Sequence, residues 1–323
     1  MTKSLTRNEV GEYLKAHDRY LILTHRNPDG DTLGSAAALC LGLRSVGKTA
    51  FVLENPEVTR RYRFLPEGLT KPAPEAEDLL VCVDVASPNM LPDGHRALAE
   101  QVQLRIDHHG SDTPFTPFAL VEPGTAACGE IIYGVLTEMG VSISKEIANA
   151  VYTAVSTDTG RFCYANTTAD TLRIAAACKD AGCEMFRLNQ ELFETQSLGR
   201  LRLQGYLTEN AMFLKNGEMA ICTISRQTCR ELGLAEEDME NISGFPRTIA
   251  GVKIAATLRE NGDEVVKASV RAVPGYDAAA LCARFGGGGH KGAAGATLKM
   301  PLADAVEAMR KAMLEMEFVW TES

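Results

Sequence analysis

Three side chains that commonly bind metal ions stand close together near the start of the chain. His25, Asp29 and Asp31 occur in the stretch HRNPDGDTLG, which directly follows the apolar run YLILT. Without a neutralising cation, the two closely spaced carboxylates would repel one another. A turn or a helix cap explains a single aspartate after a strand, but it does not explain this combination. The stretch therefore predicts part of a metal site.

This first motif is expected to lie between a strand and a helix. The run YLILT predicts the strand, and the small residues that follow the motif predict the helix. Asp29 and Asp31 would then lie on the turn before the helix. Gly34 and Ser35 would let the helix pack close to the sheet.

Three further segments place a carboxylate or an imidazole at the end of an apolar element. LLVCVD ends in Asp84, QLRIDHH ends in Asp107, His108 and His109, and VYTAVSTD ends in Asp158. If the strands form a parallel sheet, these side chains converge on one edge, where open α/β folds bind their ligands. The four segments together predict a single site.

The donor atoms of this site are carboxylate oxygens and imidazole nitrogens, without a thiolate. Such donors suit Mn²⁺, Mg²⁺, Co²⁺ or Zn²⁺ rather than a soft metal. They are too many for one ion, so we expect two ions that share a carboxylate, with Asp84 as the natural bridge. A pair of such ions suits hydrolysis at phosphorus, because it activates water and stabilises the attacking and leaving oxygens.

The elements that must position these residues follow an alternating pattern. Strands separated by helices in the first part of the chain predict a parallel sheet with helices on both faces. Further on, the turn residues Asn216-Gly217 and the stretch ENGDE predict two strand pairs. We therefore expect an α/β fold with a parallel-sheet catalytic domain over residues 1–184, a helical linker over 185–210 and a smaller α+β substrate-binding domain over 211–323.

A second candidate site lies in the glycine-rich stretch FGGGGHKGAAG. Gly287, Gly288 and Gly289 offer consecutive unhindered N–H groups, which can surround an anion. His290 and Arg271 add side-chain donors, and arginine suits bidentate contact with phosphate. The alternative is a flexible turn between a helix and a strand. We expect the stretch to bind part of a phosphate-bearing substrate.

Another basic stretch, TRRYRF at residues 59–64, interleaves arginines with aromatic residues. It could clamp a nucleobase. The competing and simpler interpretation is a solvated helix face with a buried aromatic residue.

The composition limits the functions that the chain can have. The 323 residues carry a net charge of −9, which argues against binding long DNA but leaves short anionic substrates possible. No apolar run approaches the ~20 residues that span a bilayer, and no signal core is seen, so we expect a cytoplasmic protein. The nine cysteines are scattered without a CxxC pair, which favours reduced and mostly buried thiols.

Together these motifs resemble the DHH phosphoesterase superfamily. The motifs HRNPDGD, VCVDVAS, IDHHG and STDTGRF stand in the family's order, and FGGGGHKGAAG is similar to the signature of the DHH-associated C-terminal domain. The resemblance covers nearly the whole chain. One departure is visible after the DHH motif, where many relatives have Pro-Asn and this chain has Gly110, Ser111 and Asp112.

The resemblance implies a role for each metal-site residue. The expected ions are Mn²⁺, with Mg²⁺ or Co²⁺ as alternatives. The ligands of the first ion would be His25, Asp29 and Asp84, and those of the second would be Asp31, Asp84, His108 and Asp158. Asp107 would be an outer carboxylate that orients His108. His109 would face the phosphate or the leaving group.

The resemblance also implies a substrate class. The expected activity is hydrolysis of very short oligoribonucleotides to nucleoside 5′-monophosphates, and of 3′-phosphoadenosine 5′-phosphate to AMP. The alternatives are hydrolysis of cyclic or linear dinucleotides, then of inorganic pyrophosphate, and a nucleotide sensor without catalysis. The acidic balance disfavours an exonuclease of long strands. Expected partners are short RNAs or nucleotides and a second copy of the chain, but neither long DNA nor a membrane.

Overall fold

The structure is a computed structural model that describes residues 2–110, 114–240 and 242–318. The chain divides into two units, Met1–Thr195 and Gln196–Ser323. This division falls inside the segment 185–210, whose helices are therefore shared between the two units. The three domain ranges expected from the sequence remain a prediction.

The described part of the first unit contains a sheet of seven parallel strands. These are β1 (Lys3–Ser4), β2 (Tyr20–Leu23), β3 (Ala50–Leu53), β4 (Thr70–Lys71), β5 (Leu79–Val83), β6 (Leu104–Asp107) and β7 (Phe118–Val121). Their order across the sheet is β1-β7-β6-β5-β2-β3-β4. The central strands β5, β2 and β6 consist almost entirely of buried residues, as strands covered on both faces require. The parallel sheet predicted from the sequence is confirmed.

The two faces of this sheet are covered by different kinds of helix. The α-helices are α1 (Arg7–Ala16), α2 (Gly30–Ser45), α3 (Cys128–Glu138), α4 (Lys145–Asp158), α5 (Ala169–Asp180) and α6 (Met185–Asn189). Tyr20 and Ile22 face the core that these α-helices build, whereas Leu21 and Leu23 face the core on the other side. That second core is closed by two 3₁₀ segments, Pro88–Met90 and Asp93–Gln101. Helices on both faces are thus confirmed, although those on the second face are 3₁₀.

Helix α2 packs closely against α4. A Cβ on Gly34 would lie 2.5 Å from the carbonyl oxygen of Ala150 and 2.9 Å from the nitrogen of Ala154. The expectation that Gly34 serves contact with the sheet is wrong, because this glycine faces the neighbouring helix. The close contact brings the start of α2, with Asp31, beside the end of α4, with Asp158.

The described part of the second unit contains a mixed sheet of six strands. These are β8 (Met212–Leu214), β9 (Met219–Ile224), β10 (Ile254–Glu260), β11 (Val266–Ala272), β12 (Gly288–His290) and β13 (Ala293–Leu298), in the order β12-β13-β11-β10-β9-β8. Only the β9–β10 pair among them is parallel. Both strand pairs predicted from the sequence are confirmed, β8–β9 around Asn216-Gly217 and β10–β11 across ENGDE.

Helices cover the two faces of this second sheet in part. They are α7 (Leu198–Glu209), α8 (Arg226–Leu232), α9 (Ala278–Ala283) and α10 (Leu302–Leu314). Met309 and Met313 of α10 pack with Ile254 on one face, and Leu203 and Leu207 of α7 pack on the other. No helix in the described parts of the chain is both long enough and apolar enough to cross a membrane.

The cysteines of the chain are all free, and most are buried. The buried ones are Cys40, Cys82, Cys128, Cys178, Cys183, Cys222 and Cys282. Only Cys163 is exposed, and Cys229 is half-buried. The expectation of mostly buried thiols is confirmed.

Candidate metal centre

The residues that the sequence singled out as metal ligands meet at the carboxyl edge of the first sheet. Strands β6, β5 and β2 are neighbours, and their carboxyl ends lead into the DHH motif, Asp84 and His25. Donor atoms lie within 4.8 Å of one another in each of three overlapping groups. The groups are His25, Asp29 and Asp84; Asp31, His108 and Asp158; and Asp84, His108 and His109.

Asp84 belongs to the first and third groups, and it connects His25 with His108. One carboxylate oxygen, Oδ2, is 3.4 Å from Nε2 of His25, and the other, Oδ1, is 3.4 Å from Nε2 of His108. The residue has the left-handed backbone value φ +60°, a conformation that non-glycine residues adopt at sites that the surrounding structure constrains. Only 3% of Asp84 is exposed, yet Oδ1 accepts no hydrogen bond within the described chain. A buried oxygen of this kind costs about 1–3 kcal/mol, so the site suits a bound cation.

The ring of His25 is fixed with one nitrogen directed at carboxylates. Nδ1 lies 2.8 Å from the carbonyl oxygen of Arg26, which can only accept, so the ring proton belongs on Nδ1. Nε2 is then left facing Asp29 at 3.6 Å and Asp84 at 3.4 Å. Burial lowers the pKa of His25, but the two carboxylates outweigh it and raise this pKa to about 11. The surroundings of Nε2 thus favour a positive charge, which a metal ion would supply.

Asp29 is the N-cap of helix α2. Its Oδ1 accepts the backbone N–H groups of Asp31 at 3.0 Å and of Thr32 at 3.1 Å, so the helix begins at Gly30. Asp31 therefore lies in the first helical turn, and the expectation that it precedes the helix is wrong. The capping oxygen Oδ1 is also the atom that lies 3.6 Å from Nε2 of His25, while Oδ2 takes no part in the cap and stays available to a metal ion.

The carboxylate of Asp31 is fully buried at the start of helix α3. Oδ2 accepts the N–H of Cys128 at 2.7 Å, and Oδ1 accepts the N–H of Gly129 at 2.9 Å. The N-terminus of a helix stabilises a negative charge. Nevertheless, burial and the charges of Asp84 and Asp158 raise the pKa of Asp31 well above its usual value. A divalent cation would remove this conflict.

His108 lies among three carboxylates. Its Nε2 is 3.6 Å from Asp31, 3.4 Å from Asp84 and 3.5 Å from Asp158. Nδ1 faces the carbonyl oxygen of Thr125 at 3.3 Å, which again leaves Nε2 as the free nitrogen. Burial lowers the pKa of His108, but the carboxylates raise it to about 10. Burial and neighbouring negative charges raise the pKa of Asp158 to about 7.

Asp107 orients His109 rather than the ring of His108. Its Oδ1 lies 2.7 Å from Nδ1 of His109, and it accepts the backbone N–H groups of His108 at 2.8 Å and of His109 at 3.2 Å. The expectation that Asp107 orients the His108 ring is wrong, because the Thr125 carbonyl has that position. The hydrogen bond that His109 donates to Asp107 raises the pKa of His109, whose side chain is 37% exposed. Ser111 and Asp112, part of the departure seen after this motif, lie outside the described residues.

Two supporting contacts were not foreseen from the sequence. The Asn55 amide donates to the carbonyl oxygen of His25 at 2.9 Å and to Oγ1 of Thr24 at 3.0 Å. The carbonyl of Thr125 holds His108. The contact from the Thr125 carbonyl could not be predicted from residue types, because every residue has a backbone carbonyl. Asn55, however, directly follows the run TAFVLE at the same sheet edge as the metal motifs, and that position was an available signal.

In the second unit, Arg271 and His290 lie in one row of the sheet. Arg271 on β11 pairs with Ala293 on β13, and Ala293 pairs with His290 on β12. Residues opposite one another in antiparallel strands share a face, so the two side chains project from the same face with only a methyl group between them. Two strand spacings separate them by roughly 10 Å. The arginine is half-buried and the histidine is exposed.

The glycines beside His290 do not form the expected row of free N–H groups. The N–H of Gly286 is donated to Ala283 at 3.1 Å and that of Gly287 to Cys282 at 3.0 Å, which closes the end of helix α9. The N–H of Gly287 is therefore unavailable to an anion in this conformation, contrary to the expectation. Gly288 and Gly289 belong to the short edge strand β12.

These glycines have different reasons to lack a side chain. A Cβ on Gly287 would collide with the carbonyl oxygen of Gly295, and Gly289 has the left-handed value φ +144°. A Cβ on Gly288 would meet no described atom within 4 Å. Gly288 stands two residues from His290 and shares its face of the sheet. The described fold therefore does not require a glycine at this position.

Comparison with known proteins assigns this chain to one class. Residues 19–155 match the DHH family, N-terminal domain, and residues 216–316 match the DHHA1 domain. The chain therefore belongs to the DHH family, and the resemblance drawn from its motifs is confirmed.

Several relatives match nearly the full chain. It is 34% identical over 314 residues to the bifunctional oligoribonuclease and PAP phosphatase NrnA of Thermus thermophilus, covering 95% of this chain and 93% of that one. It is 25% identical over 297 residues to the protein of the same name from Bacillus subtilis, covering 90% and 93%. The crystal structure of an exopolyphosphatase-related protein from Bacteroides fragilis superimposes with a TM-score of 0.84 at 25% identity, covering 96% and 95%.

Proposed function

We propose that the protein is a two-metal phosphoesterase and exoribonuclease. It would hydrolyse very short RNAs to nucleoside 5′-monophosphates and 3′-phosphoadenosine 5′-phosphate to AMP. The observation that carries this proposal is the position of Asp84, whose two oxygens face two separate groups of donors. The substrate class is supported by relatives that are named oligoribonuclease and PAP phosphatase and match over nearly their full length.

The donors divide naturally between two divalent ions. The ligands of the first are proposed to be His25, Asp29 and Asp84, and those of the second Asp31, Asp84, His108 and Asp158. When bound, such a pair of ions would supply a nucleophile at neutral pH and neutralise charge on the attacked phosphoryl group. Oxygen and imidazole donors without thiolate favour Mn²⁺, with Mg²⁺ or Co²⁺ as alternatives.

His109 is proposed to act on the substrate directly. Asp107 holds its Nδ1, so the partly exposed ring has a fixed orientation and a fixed tautomer. Nε2 can then contact a phosphoryl oxygen or hold a proton for the leaving oxygen. Asp107 is a positioning residue in this account, because it acts through His109.

The second unit is proposed to bind another part of the substrate. Arg271 and His290 supply donors for a phosphate or a ribose from one face of the sheet. Gly288 leaves room for the substrate to approach the backbone, whereas Gly287 and Gly289 keep β12 against β13. Cytoplasmic location and a homodimer, both expected from the sequence, stay predictions.

A panel of substrates tests the proposal. Purified protein with Mn²⁺ would be given 5′-phosphorylated diadenosine, 3′-phosphoadenosine 5′-phosphate, cyclic di-AMP and pyrophosphate, each with and without excess chelator. We expect release of AMP from the first two substrates only in the absence of chelator. Turnover of cyclic di-AMP or of pyrophosphate alone would instead support one of the alternative enzymes. Nucleotide binding without any turnover would support the sensor.

A further inference from the structure

A cleft of about 610 Å³ opens in the first unit at the carboxyl end of β3 and beside β4. Its walls are mainly aliphatic and include Leu33, Leu53, Val58 and Pro66. None of the residues assigned to the metal centre lines it. The TRRYRF stretch contributes Arg63 to its lining, so the function described so far leaves both the cleft and this basic stretch unexplained.

The cleft adjoins the metal centre. Strand β3 is the direct neighbour of β2, which leads into His25, and β5, which leads into Asp84, lies on the other side of β2. The end of β3 is thus roughly 10 Å from the end of β5, or two strand spacings. Asn55 lines the cleft and donates to the carbonyl oxygen of His25, so cleft and metal centre share a wall.

The polar groups at the cleft suit a neutral heterocycle better than a phosphate. Arg63 and Glu54 are both exposed and carry opposite charges, and their side chains form no hydrogen bond or ion pair with any described residue. Their charges largely cancel, which disfavours an anion. His95 is half-buried, and burial lowers its pKa despite the nearby Glu57, so its neutral ring can donate and accept.

We propose that this cleft binds the nucleobase of a nucleotide next to the scissile phosphate. The inference rests on the proposed function, because it names a subsite for the same substrate. The planar guanidinium of Arg63 would stack on the base, aliphatic side chains would cover its faces, and His95 would contact its polar edge. Both interpretations of TRRYRF then hold in part, since Tyr62 is buried while Arg63 lines the cleft.

Three variants test the subsite. Arg63→Ala removes the stacking group, and Pro72→Trp fills the cleft from its exposed rim. Arg60→Ala is the matched control, since Arg60 begins the 3₁₀ turn Arg60–Tyr62 that Arg63 directly follows but does not line the cleft. The substrates would be 5′-phosphorylated diadenosine, its two analogues with one base removed, and bis-p-nitrophenyl phosphate, which has no nucleobase. Turnover of this last ester also verifies that each variant is folded and metal-loaded.

We expect Arg63→Ala and Pro72→Trp to lower kcat/KM for the dinucleotide about tenfold, within the range for loss of a base contact. Hydrolysis of bis-p-nitrophenyl phosphate should stay unchanged, as should both activities of Arg60→Ala. For the wild type, kcat/KM should be lower by a similar factor on one of the two abasic analogues than on the dinucleotide. On that analogue, kcat/KM of the cleft variants should be little lower than that of the wild type. The inference is overturned if neither abasic analogue is a poorer substrate, or if the cleft variants lower both activities equally or neither.

Calorimetric titration of AMP into the Mn²⁺-loaded protein separates this inference from the proposed function. If the wild type does not cleave the dinucleotide but binds AMP, and Pro72→Trp weakens that binding about tenfold, the proposed function fails and the base subsite stands. If the dinucleotide is cleaved and AMP binding is equal in wild type and Pro72→Trp, the subsite fails and the function stands. If the wild type neither cleaves the dinucleotide nor binds AMP, both fail.

Discussion

At the scale of single residues, the account depends on carboxylates that each perform two tasks. Asp29 caps helix α2 with the same side chain that faces His25, and Asp31 is held by the first N–H groups of α3 while it faces His108. Such double use fixes the ligand oxygens before any ion binds. The cost is a concentration of buried negative charge, which the raised pKa values of Asp31 and Asp158 express.

Asp84→Ala should be the most damaging single change among the ligands. Because both groups of donors face this carboxylate, its loss should release both ions, whereas Asp29→Ala should affect only one. We expect Mn²⁺ per chain, measured by elemental analysis after gel filtration, to fall furthest for Asp84→Ala. Dinucleotide hydrolysis should fall by more than about 100-fold, since even outer-sphere changes cost 10- to 100-fold. Equal Mn²⁺ loss in the two variants would contradict a bridging role.

Asp107→Asn should lower activity without releasing metal. An asparagine at position 107 would lack the negative charge that Asp107 places beside the His109 ring. We therefore expect kcat/KM to fall about 10- to 100-fold while Mn²⁺ content stays at the wild-type value. In a His109→Ala background the same change should cost little, because the two residues act as a unit. Additive losses in the double variant, or loss of Mn²⁺ from Asp107→Asn, would show that Asp107 acts on the His108 side instead.

At the scale of elements, much of the architecture could be predicted and some of its contacts could not. The apolar runs before His25, Asp84 and Asp107 are buried strands, and period and order alone predicted a parallel sheet with its ligands at one edge. Three details of the first unit were wrong. The cap at Asp29 shifts Asp31 into the helix, Gly34 faces α4 instead of the sheet, and Asp107 holds His109. Each depends on which neighbour a side chain meets, and residue spacing along one element does not contain that information.

At this scale, Gly287, directly before strand β12, and Gly288, its first residue, separate a structural requirement for glycine from a functional one. Gly287→Ala should destabilise the protein by about 1–3 kcal/mol, because its Cβ collides with the Gly295 carbonyl. Gly288→Ala should leave the denaturation midpoint unchanged, since its Cβ meets open space, but it should lower kcat/KM for the dinucleotide. Chemical denaturation and steady-state kinetics on both variants test this contrast. Wild-type kinetics for Gly288→Ala would mean that the substrate does not approach this strand.

At the scale of the whole molecule, the net charge and the named relatives both favour small substrates over long strands. The net charge of −9 offers little long-range attraction to a polyanion, so each added phosphate contributes little to binding. In the proposed function, positive charge is instead local: it comes from the metal ions of the first unit and from Arg271 in the second. The relative from Thermus thermophilus, named oligoribonuclease and PAP phosphatase, matches this chain over 93% of its own length. The molecule as a whole therefore suits small nucleotides better than long strands.

The dependence of rate on RNA length tests this central claim most directly. Release of nucleoside 5′-monophosphate would be measured with Mn²⁺ on 5′-labelled RNAs from two to about 24 nucleotides at equal concentration of ends. The account predicts the highest rate per end for about two to five nucleotides and a clear decline towards the 24-mer, because added phosphates gain almost no Coulombic binding. A 24-mer degraded as fast as a dinucleotide, or faster and processively, would contradict the account and identify an exonuclease of long strands.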